Sequence, residues 1–346
     1  MKTSPLRAAL IGCGRIGAGC SGIGHSRLQS HAAAYTACEG TNLVAACDPD
    51  EKVLACMSEK WGIERLYRDA GEMIQSEDPE VVSICTPASS HLSLMREVVA
   101  LGSFKRVLLE KPVASTPEEA AEIDMLAKAN NVTVAVNYAR RYAPVYQAVA
   151  KGFQEGQYGD IQHIQVVYTK GIVNNGSHVL DLLRFLFGDP DGFAVVNVIS
   201  PVAEDPEVSF RVVYQDRFEV WISCVDSSQY NVFDMDVFGT RGRLRFTDLG
   251  HKSSVYNVED VREIHGFRQL KMDSLQDTGL STATGRAVSD VLDAEKEGRL
   301  PICTIRDGAL ALSMAVEIAE AAVLDKKLFH SFVSLKSGEN RFPNLS

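Results

Sequence analysis

Through the first third of the chain, short apolar runs alternate with stretches of helical period. LRAALIG (6–12), TNLVAACD (41–48), EVVSICTP (80–87), RVLLEKP (106–112) and VTVAVNY (132–138) read as strands. Between them RLQSHAAAYTA (27–37), EKVLACMSEKWG (51–62), HLSLMREVVALG (91–102) and TPEEAAEIDMLAKANN (116–131) place apolar residues three and four apart and read as helices. Near-continuous apolar strands separated by helices of this length indicate βαβ units and a parallel, doubly wound sheet covered on both faces. After about residue 138 the rhythm changes. A helix over 141–156 is followed by GDIQHIQVVYTKG and a helix over 176–188. Then come long alternating runs, GFAVVNVIS, EVSFRVVYQDRFEVWISCVD and FDMDVFGTRGRLRFTD, with turns at 216–217 and 240–242. These predict antiparallel strands, and helical patterns return at 280–298 and 307–327. The pattern predicts an α/β chain: a doubly wound domain over 1–138, then an α+β domain over 139–346 with a large open, mainly antiparallel sheet. Whether the last helices stay with the second domain or pack back on the first is left open. An open sheet exposes a large face, so a homodimer or homotetramer through that sheet is expected.

Composition adds exclusions. The chain has 346 residues, too many for one ordinary core, with 45% hydrophobic and 23% charged residues, as in a soluble globular protein. A net charge of −10 argues against nucleic-acid or anionic-membrane partners. The N-terminal apolar run lacks the features of a signal peptide, and no run approaches a membrane span, so a cytoplasmic location is expected. The eight cysteines form no C-x-x-C pair, suggest no metal site, and are expected to be buried and reduced.

The glycine cluster GCGRIGAGCSGIGHSRLQSH (12–31) fits G-x-G-x-x-G twice, as Gly12/Gly14/Gly17 and as Gly17/Gly19/Gly22. Only the first set directly follows a strand, where a tight turn and a helix N-terminus can cradle a pyrophosphate, with Arg15 and Ile16 opening the turn. The predicted fold is therefore of the Rossmann type. Asp48, ending the second strand, is placed to bind both ribose hydroxyls and repel a 2′-phosphate, which favours NAD over NADP; a helix-capping role is the alternative. It stands 31 residues after Gly17 (48 − 17), where about 20 is usual, and the second glycine group accounts for the excess as an insertion of about ten residues. Ser21–Arg27 is read as part of the substrate entrance, with His25 and Arg27 as its polar contacts. A surface bulge without a role is equally open.

Two further motifs are specific. Glu110-Lys111-Pro112 closes a predicted parallel strand, and Asn174-Asn175-Gly176-Ser177-His178-Val179-Leu180-Asp181 opens a helix of the second domain. With VNYARR (136–141) and the glycine fingerprint, they resemble the glucose–fructose oxidoreductase / inositol dehydrogenase / MocA family over essentially the whole chain. The resemblance implies that Lys111 is an active-site lysine on the proton path and that Pro112 turns the chain beneath the nicotinamide. It implies that His178 contacts the reacting hydroxyl. It also implies that Thr86, Pro87, His91, Glu110 and Asn137 line the cofactor. An aspartate is common four residues before the histidine; Asn174 stands there instead. An asparagine still hydrogen-bonds but takes no proton, which shifts that burden to Lys111 and His178. Arg140, Tyr168 and Lys170 are read as substrate contacts, with packing or salt-bridge roles equally open.

The expected activity is hydride transfer between NAD and a secondary hydroxyl or ketone of a sugar, an inositol-like polyol or a nucleotide sugar. Two alternatives from the same resemblance stay open: a redox-neutral, NAD-dependent glycosidase and a non-catalytic ligand-sensing regulator.

Overall fold

A computed structural model describes residues 4–20, 30–200, 205–214, 217–262, 264–324 and 329–336. The chain divides into two compact units, Met1–Tyr142 with Ser281–Ala309, and Ala143–Leu280 with Leu310–Ser346. The division falls inside one helix, α9 (Ile305–Val323).

The first unit carries β1 (Leu6–Ile11), α1 (His31–Ala37), β2 (Thr41–Cys47), α2 (Glu51–Trp61), β3 (Arg65–Tyr67), α3 (Ala70–Glu77), β4 (Val81–Ile84), α4 (His91–Leu101), β5 (Arg106–Leu109), α5 (Pro117–Ala129) and β6 (Thr133–Val136). Its six strands are all parallel in the order β3-β2-β1-β4-β5-β6, the doubly wound order that leaves a crevice where the winding reverses, between β1 and β4. The strands are apolar because both faces are covered: all of β4 is buried, as are the last four residues of β1. Helix starts follow side-chain capping. Ser30, Asp50, Asp69 and Thr116 each accept a main-chain N–H at the openings of α1, α2, α3 and α5. β3 and α3 have no counterpart in the elements that the hydrophobic pattern predicts. Glu77 fixes them, taking hydrogen bonds from Arg65 and Tyr67 of β3 and from Arg7 of β1. The unit is completed by α8 (Ala283–Glu297), whose buried stripe includes Ala283, Ala287 and Val291.

The second unit is built on a nine-stranded sheet. Its strands are β7 (Ile161–Thr169), β8 (Gly192–Ser200), β9 (Glu207–Tyr214), β10 (Phe218–Val225), β11 (Phe233–Gly239), β12 (Gly242–Thr247), β13 (Lys252–Asp260), β14 (Arg268–Asp277) and β15 (His330–Ser331), with helices α6 (Pro144–Gln154), α7 (Ser177–Phe187) and α10 (Val333–Lys336). The order is β14-β13-β12-β11-β7-β10-β9-β8-β15. The β7–β10 pair is parallel and every other pair antiparallel, so the sheet is mixed but mainly antiparallel. One face is strictly apolar: Val208, Phe210, Val212 and Tyr214 of β9 are buried, while their neighbours are half-buried. Trp221, on the opposite face, is 44% exposed. None of the eight cysteines is disulfide-bonded.

Candidate active site

The chain leaves β1 through Gly12, whose φ of +88° is open to glycine at little cost. The Gly12 N–H donates to the Cys47 carbonyl of β2 (2.8 Å), and the Cys85 N–H beyond β4 donates to Ile11 (2.8 Å). A Cβ on Gly12 would lie 2.9 Å from the Cys85 carbonyl carbon, and one on Gly17 only 1.9 Å from the Gly12 oxygen. Gly12 and Gly17 are therefore demanded by backbone packed on backbone. From Gly14 the chain makes a helical turn, with the Ala18 N–H donating to the Gly14 carbonyl (3.0 Å). The N–H groups of Gly14, Arg15, Ile16 and Gly17 open that turn and are the donors a helix N-terminus offers to an anion.

That turn is the true start of α1. The Ile16 carbonyl accepts from His31 N–H (3.1 Å) and the Gly17 carbonyl from Ala32 N–H (2.8 Å). In an unbroken helix Ile16 would be met by residue 20; it is met by residue 31, eleven later (31 − 20). The insertion therefore interrupts the helix after its first turn rather than delaying its start, and removing eleven residues restores the usual spacing from Gly17 to Asp48. The excursion leaves under firm control: Lys60 Nζ donates to the Ala18 and Gly19 carbonyls (3.2 and 2.9 Å) and Trp61 Nε1 to Ala18 (2.9 Å). Gly22, His25 and Arg27 lie outside the described residues.

Asp48 does not cap α2; Asp50 does, accepting from the Lys52 N–H (2.8 Å). Asp48 Oδ2 accepts from the Cys13 N–H inside the fingerprint (2.9 Å) and Oδ1 from the Asp50 N–H (3.0 Å). Each oxygen keeps a second lone pair for a ribose hydroxyl. The loop after β4 lies against Gly12 through Thr86 Cγ2, and Ser90 donates to Thr86 Oγ1 (2.7 Å). Pro87 is exposed. His91 is fully buried, with Nε2 2.9 Å from the Thr86 carbonyl and Nδ1 3.2 Å from that of Val113. Burial lowers its pKa, and it ties the β4 loop to the segment after Pro112.

At the end of β5 the Lys111–Pro112 peptide is cis. The Lys111 residue is half-buried, while the Glu110 side chain turns inward. Glu110 Oε1 accepts from Asn137 Nδ2 (2.7 Å) and sits 2.8 Å from His31 Nε2; Oε2 takes the Lys111 main-chain N–H (3.2 Å). On the other side of the imidazole, Nδ1 meets Ser83 Oγ (2.9 Å), which in turn meets Tyr35 OH (2.8 Å). Burial alone would raise the Glu110 pKa. Hydrogen bonding and charge from His31, then Asn137 and Lys111, bring the carboxyl below its ordinary value. The Asn137 Oδ1 is buried without a hydrogen-bond partner among the described residues. His31, Ser83 and Tyr35 were missed in the sequence. The one available signal was a histidine opening an otherwise apolar helix segment.

In the second unit, Asn174 sits in a π-turn, Ile172–Gly176, directly ahead of α7, and is exposed. Such turns are frequent at functional sites. This one is pinned by Asp205 Oδ1, which accepts from the Val173 N–H (2.6 Å). Asn174 and Lys170 line one cavity of about 580 Å³ with Asp205, Glu207, Asp226 and Ser227. His178 is half-buried in the first turn of α7, and Asp181 on the same helix is buried. Tyr168 is in the core, its OH donating to the Val208 carbonyl (2.7 Å). In the first unit Arg140 is half-buried on a 3₁₀ turn, next to Arg141, which pairs with Asp307 at 3.2 Å.

The sequence model of an oxidoreductase family with an NAD-binding Rossmann fold, GFO_IDH_MocA, matches residues 6–138. The chain is 27% identical over 280 residues to D-apiose dehydrogenase of Paraburkholderia graminis, covering 74% of this chain and 71% of that protein. It is 23% identical over 334 residues to myo-inositol 2-dehydrogenase of Thermotoga maritima, covering 89% and 93%. An oxidoreductase of Agrobacterium radiobacter, solved with NAD+, L-tartaric acid and magnesium, shares the fold with a TM-score of 0.74 at 19% identity, over 96% of this chain and all of that one. No helix among the described residues is long and apolar enough to cross a membrane. With its fingerprint turn and its Glu110-Lys111-Pro112 corner, the segment 6–138 carries the NAD-binding Rossmann domain of the glucose–fructose oxidoreductase / inositol dehydrogenase / MocA oxidoreductases, and the chain as a whole is similar to these sugar and polyol dehydrogenases.

Proposed function

We propose that this protein is an NAD-dependent dehydrogenase acting on a secondary hydroxyl, or in reverse a ketone, of a sugar, a polyol or a sugar conjugate. The observation that carries the cofactor reading is the Asp48 carboxylate, fastened at the end of β2 by a main-chain N–H of the glycine loop itself. A negative charge fixed there suits a ribose with both hydroxyls free and repels one that bears a phosphate. The glycine turn fits a pyrophosphate, since Gly12 and Gly17 leave no room for a Cβ and the first N–H groups of the turn open a helix start. The substrate class rests on relatives that act on apiose and on myo-inositol.

Oxidising a carbinol takes a hydride from carbon and a proton from oxygen. A bound nicotinamide supplies the hydride acceptor. The protein's own task is the proton, assigned to Lys111 Nζ and the imidazole of His178. A lysine amine has a pKa of about 10.4 in water and histidine about 6.5, so Lys111 must be tuned by its surroundings while histidine already titrates near neutrality. Asn174 offers a hydrogen bond and no proton acceptor, so a carboxylate–histidine pair is not part of this reading.

A panel of free pentoses and hexoses, inositols, uronates and nucleotide sugars, offered with NAD or NADP and followed by NADH or NADPH absorbance, tests it. At least one member is expected to reduce NAD in preference to NADP. Asp48→Asn, which keeps an acceptor for the Cys13 N–H and removes the charge, is expected to narrow that preference about tenfold or more in kcat/KM. Failure of every member with both cofactors, or a preference unmoved by Asp48→Asn, would overturn the respective half of the reading. We also propose that a second copy covers the open sheet face around Trp221, and light scattering of the purified protein is expected to give a mass at least twice that of one chain. A monomer at micromolar concentration rules this out.

A further inference from the structure

The buried cluster behind Lys111 is larger than a motif residue needs for packing. Glu110 could have turned its carboxylate to solvent; instead the residue is 8% exposed and both oxygens are held, Oε1 by His31 and Asn137 and Oε2 by the Lys111 main-chain N–H. His31 is fully buried, and its second nitrogen is fixed by Ser83, itself met by Tyr35. The carboxylate thus has a rigid direction and sits next to the lysine in the chain. We propose that His31 and Glu110 form a positioning pair behind Lys111, with His31 fixing the buried carboxylate whose field sets how readily the Lys111 amine takes up and releases a proton. This role rests on Lys111 being the proton-handling lysine of the proposed dehydrogenase.

The physical argument is electrostatic. A charge in a dry setting acts strongly on a neighbour, because little water screens it. An ionised Glu110 favours the ammonium form of Lys111, and the His31 N–H directed at Oε1 draws down part of that field. Among the described residues, the other titratable groups facing the carboxylate are the Cys85 thiol beyond β4 and His91 of α4; Tyr35 reaches it through Ser83. Burial and the Glu110 charge push the Cys85 thiol up, and burial lowers the His91 pKa, so both are neutral at pH 7. Asn137 and Thr284 add only neutral hydrogen-bonding groups. The Glu110 carboxylate, held by His31, is therefore the source of the field within this cluster.

Removing each partner should move the Lys111 amine in opposite directions. Glu110→Gln keeps the shape and deletes the charge, so the amine's pKa should fall. His31→Ala leaves the carboxylate less neutralised, so it should rise. Both shifts are expected to be about half a unit or more, and His31→Gln, which returns an N–H donor, should come back to within about a third of a unit of wild type. The reading needs no substrate: the pH dependence of Lys111 acetylation by acetic anhydride, scored by peptide mass spectrometry on the intact protein, reports the amine directly. Thermal melts and circular dichroism confirm that each variant is folded. His31→Ala is expected to have no effect on Lys111 in the Glu110→Gln background, because its action runs through the carboxylate. Shifts of the same sign, no shift in either single variant, or a His31→Ala shift that survives in the Glu110→Gln background would overturn the pair. If the acetylation shifts appear but no sugar or polyol reduces NAD, the dehydrogenase reading fails while the pair stands.

Discussion

Lys111→Met is expected to lower kcat at least a hundredfold on every sugar or polyol the wild type oxidises, while the NADH dissociation constant stays within about threefold. Methionine keeps the length of the side chain and removes the amine. The loss therefore measures proton handling rather than packing. Lys111 follows a strand end, and its neighbour's carboxylate takes its main-chain N–H (3.2 Å), so the backbone that aims the side chain is held independently of the amine. Single-turnover mixing of enzyme, NAD and substrate separates the outcomes. A drop confined to KM would mean that Lys111 only binds substrate, and an unchanged kcat would remove it from the reaction. His178→Gln is the companion variant, since it keeps a hydrogen-bonding amide at that position and cannot be protonated at neutral pH. If both variants fall by similar factors and the double variant falls little further, the two groups serve one proton transfer rather than two separate steps.

The doubly wound unit was legible because a sheet covered on both faces writes itself as apolar runs. β1, β2, β4, β5 and β6 were all visible for that reason. β3 was not, because three residues with half-exposed side chains carry no period. Nor was the β13–β14 hairpin: nine of the ten residues of β14 are exposed, so neither face imposes the alternation that marks a half-buried strand. The parallel β7–β10 pair is invisible in sequence, since pairing direction is set by which strands become neighbours and not by the composition of either. The site shows the same division. Glycines, Asp48 and Glu110-Lys111-Pro112 stand at strand ends, where a fixed fold makes position meaningful. His31 escaped because eleven inserted residues move it away from the fingerprint whose first helical turn it continues, and only the hydrogen bonds to Ile16 and Gly17 reveal the continuity.

The largest effect on the cofactor site is expected at Gly17. Gly17→Ala should raise the NADH dissociation constant at least a hundredfold and cost about 3 kcal/mol or more of stability, above the usual range for one added methyl group. The reason is that the new Cβ meets only backbone: 1.9 Å to the Gly12 oxygen, 2.9 Å to its carbonyl carbon and 3.3 Å to Cys13 Cα. No side chain can swing aside, so the end of β1 or the first helical turn must move. Either movement pulls the Cys13 N–H off Asp48 Oδ2 and the turn's N–H groups away from the pyrophosphate position, which couples stability to binding through the same few atoms. It also loosens the Gly17 carbonyl that receives Ala32 and rejoins the interrupted helix. Gly285→Ala is the control, because a Cβ there meets nothing within 4 Å in the first turn of α8, and helix propensity favours alanine over glycine, by up to about 1 kcal/mol. Urea melts and NADH fluorescence titrations on the two variants should therefore diverge in sign for stability and leave binding untouched only for the second. Binding by Gly17→Ala within threefold of wild type would show that the pyrophosphate is held elsewhere.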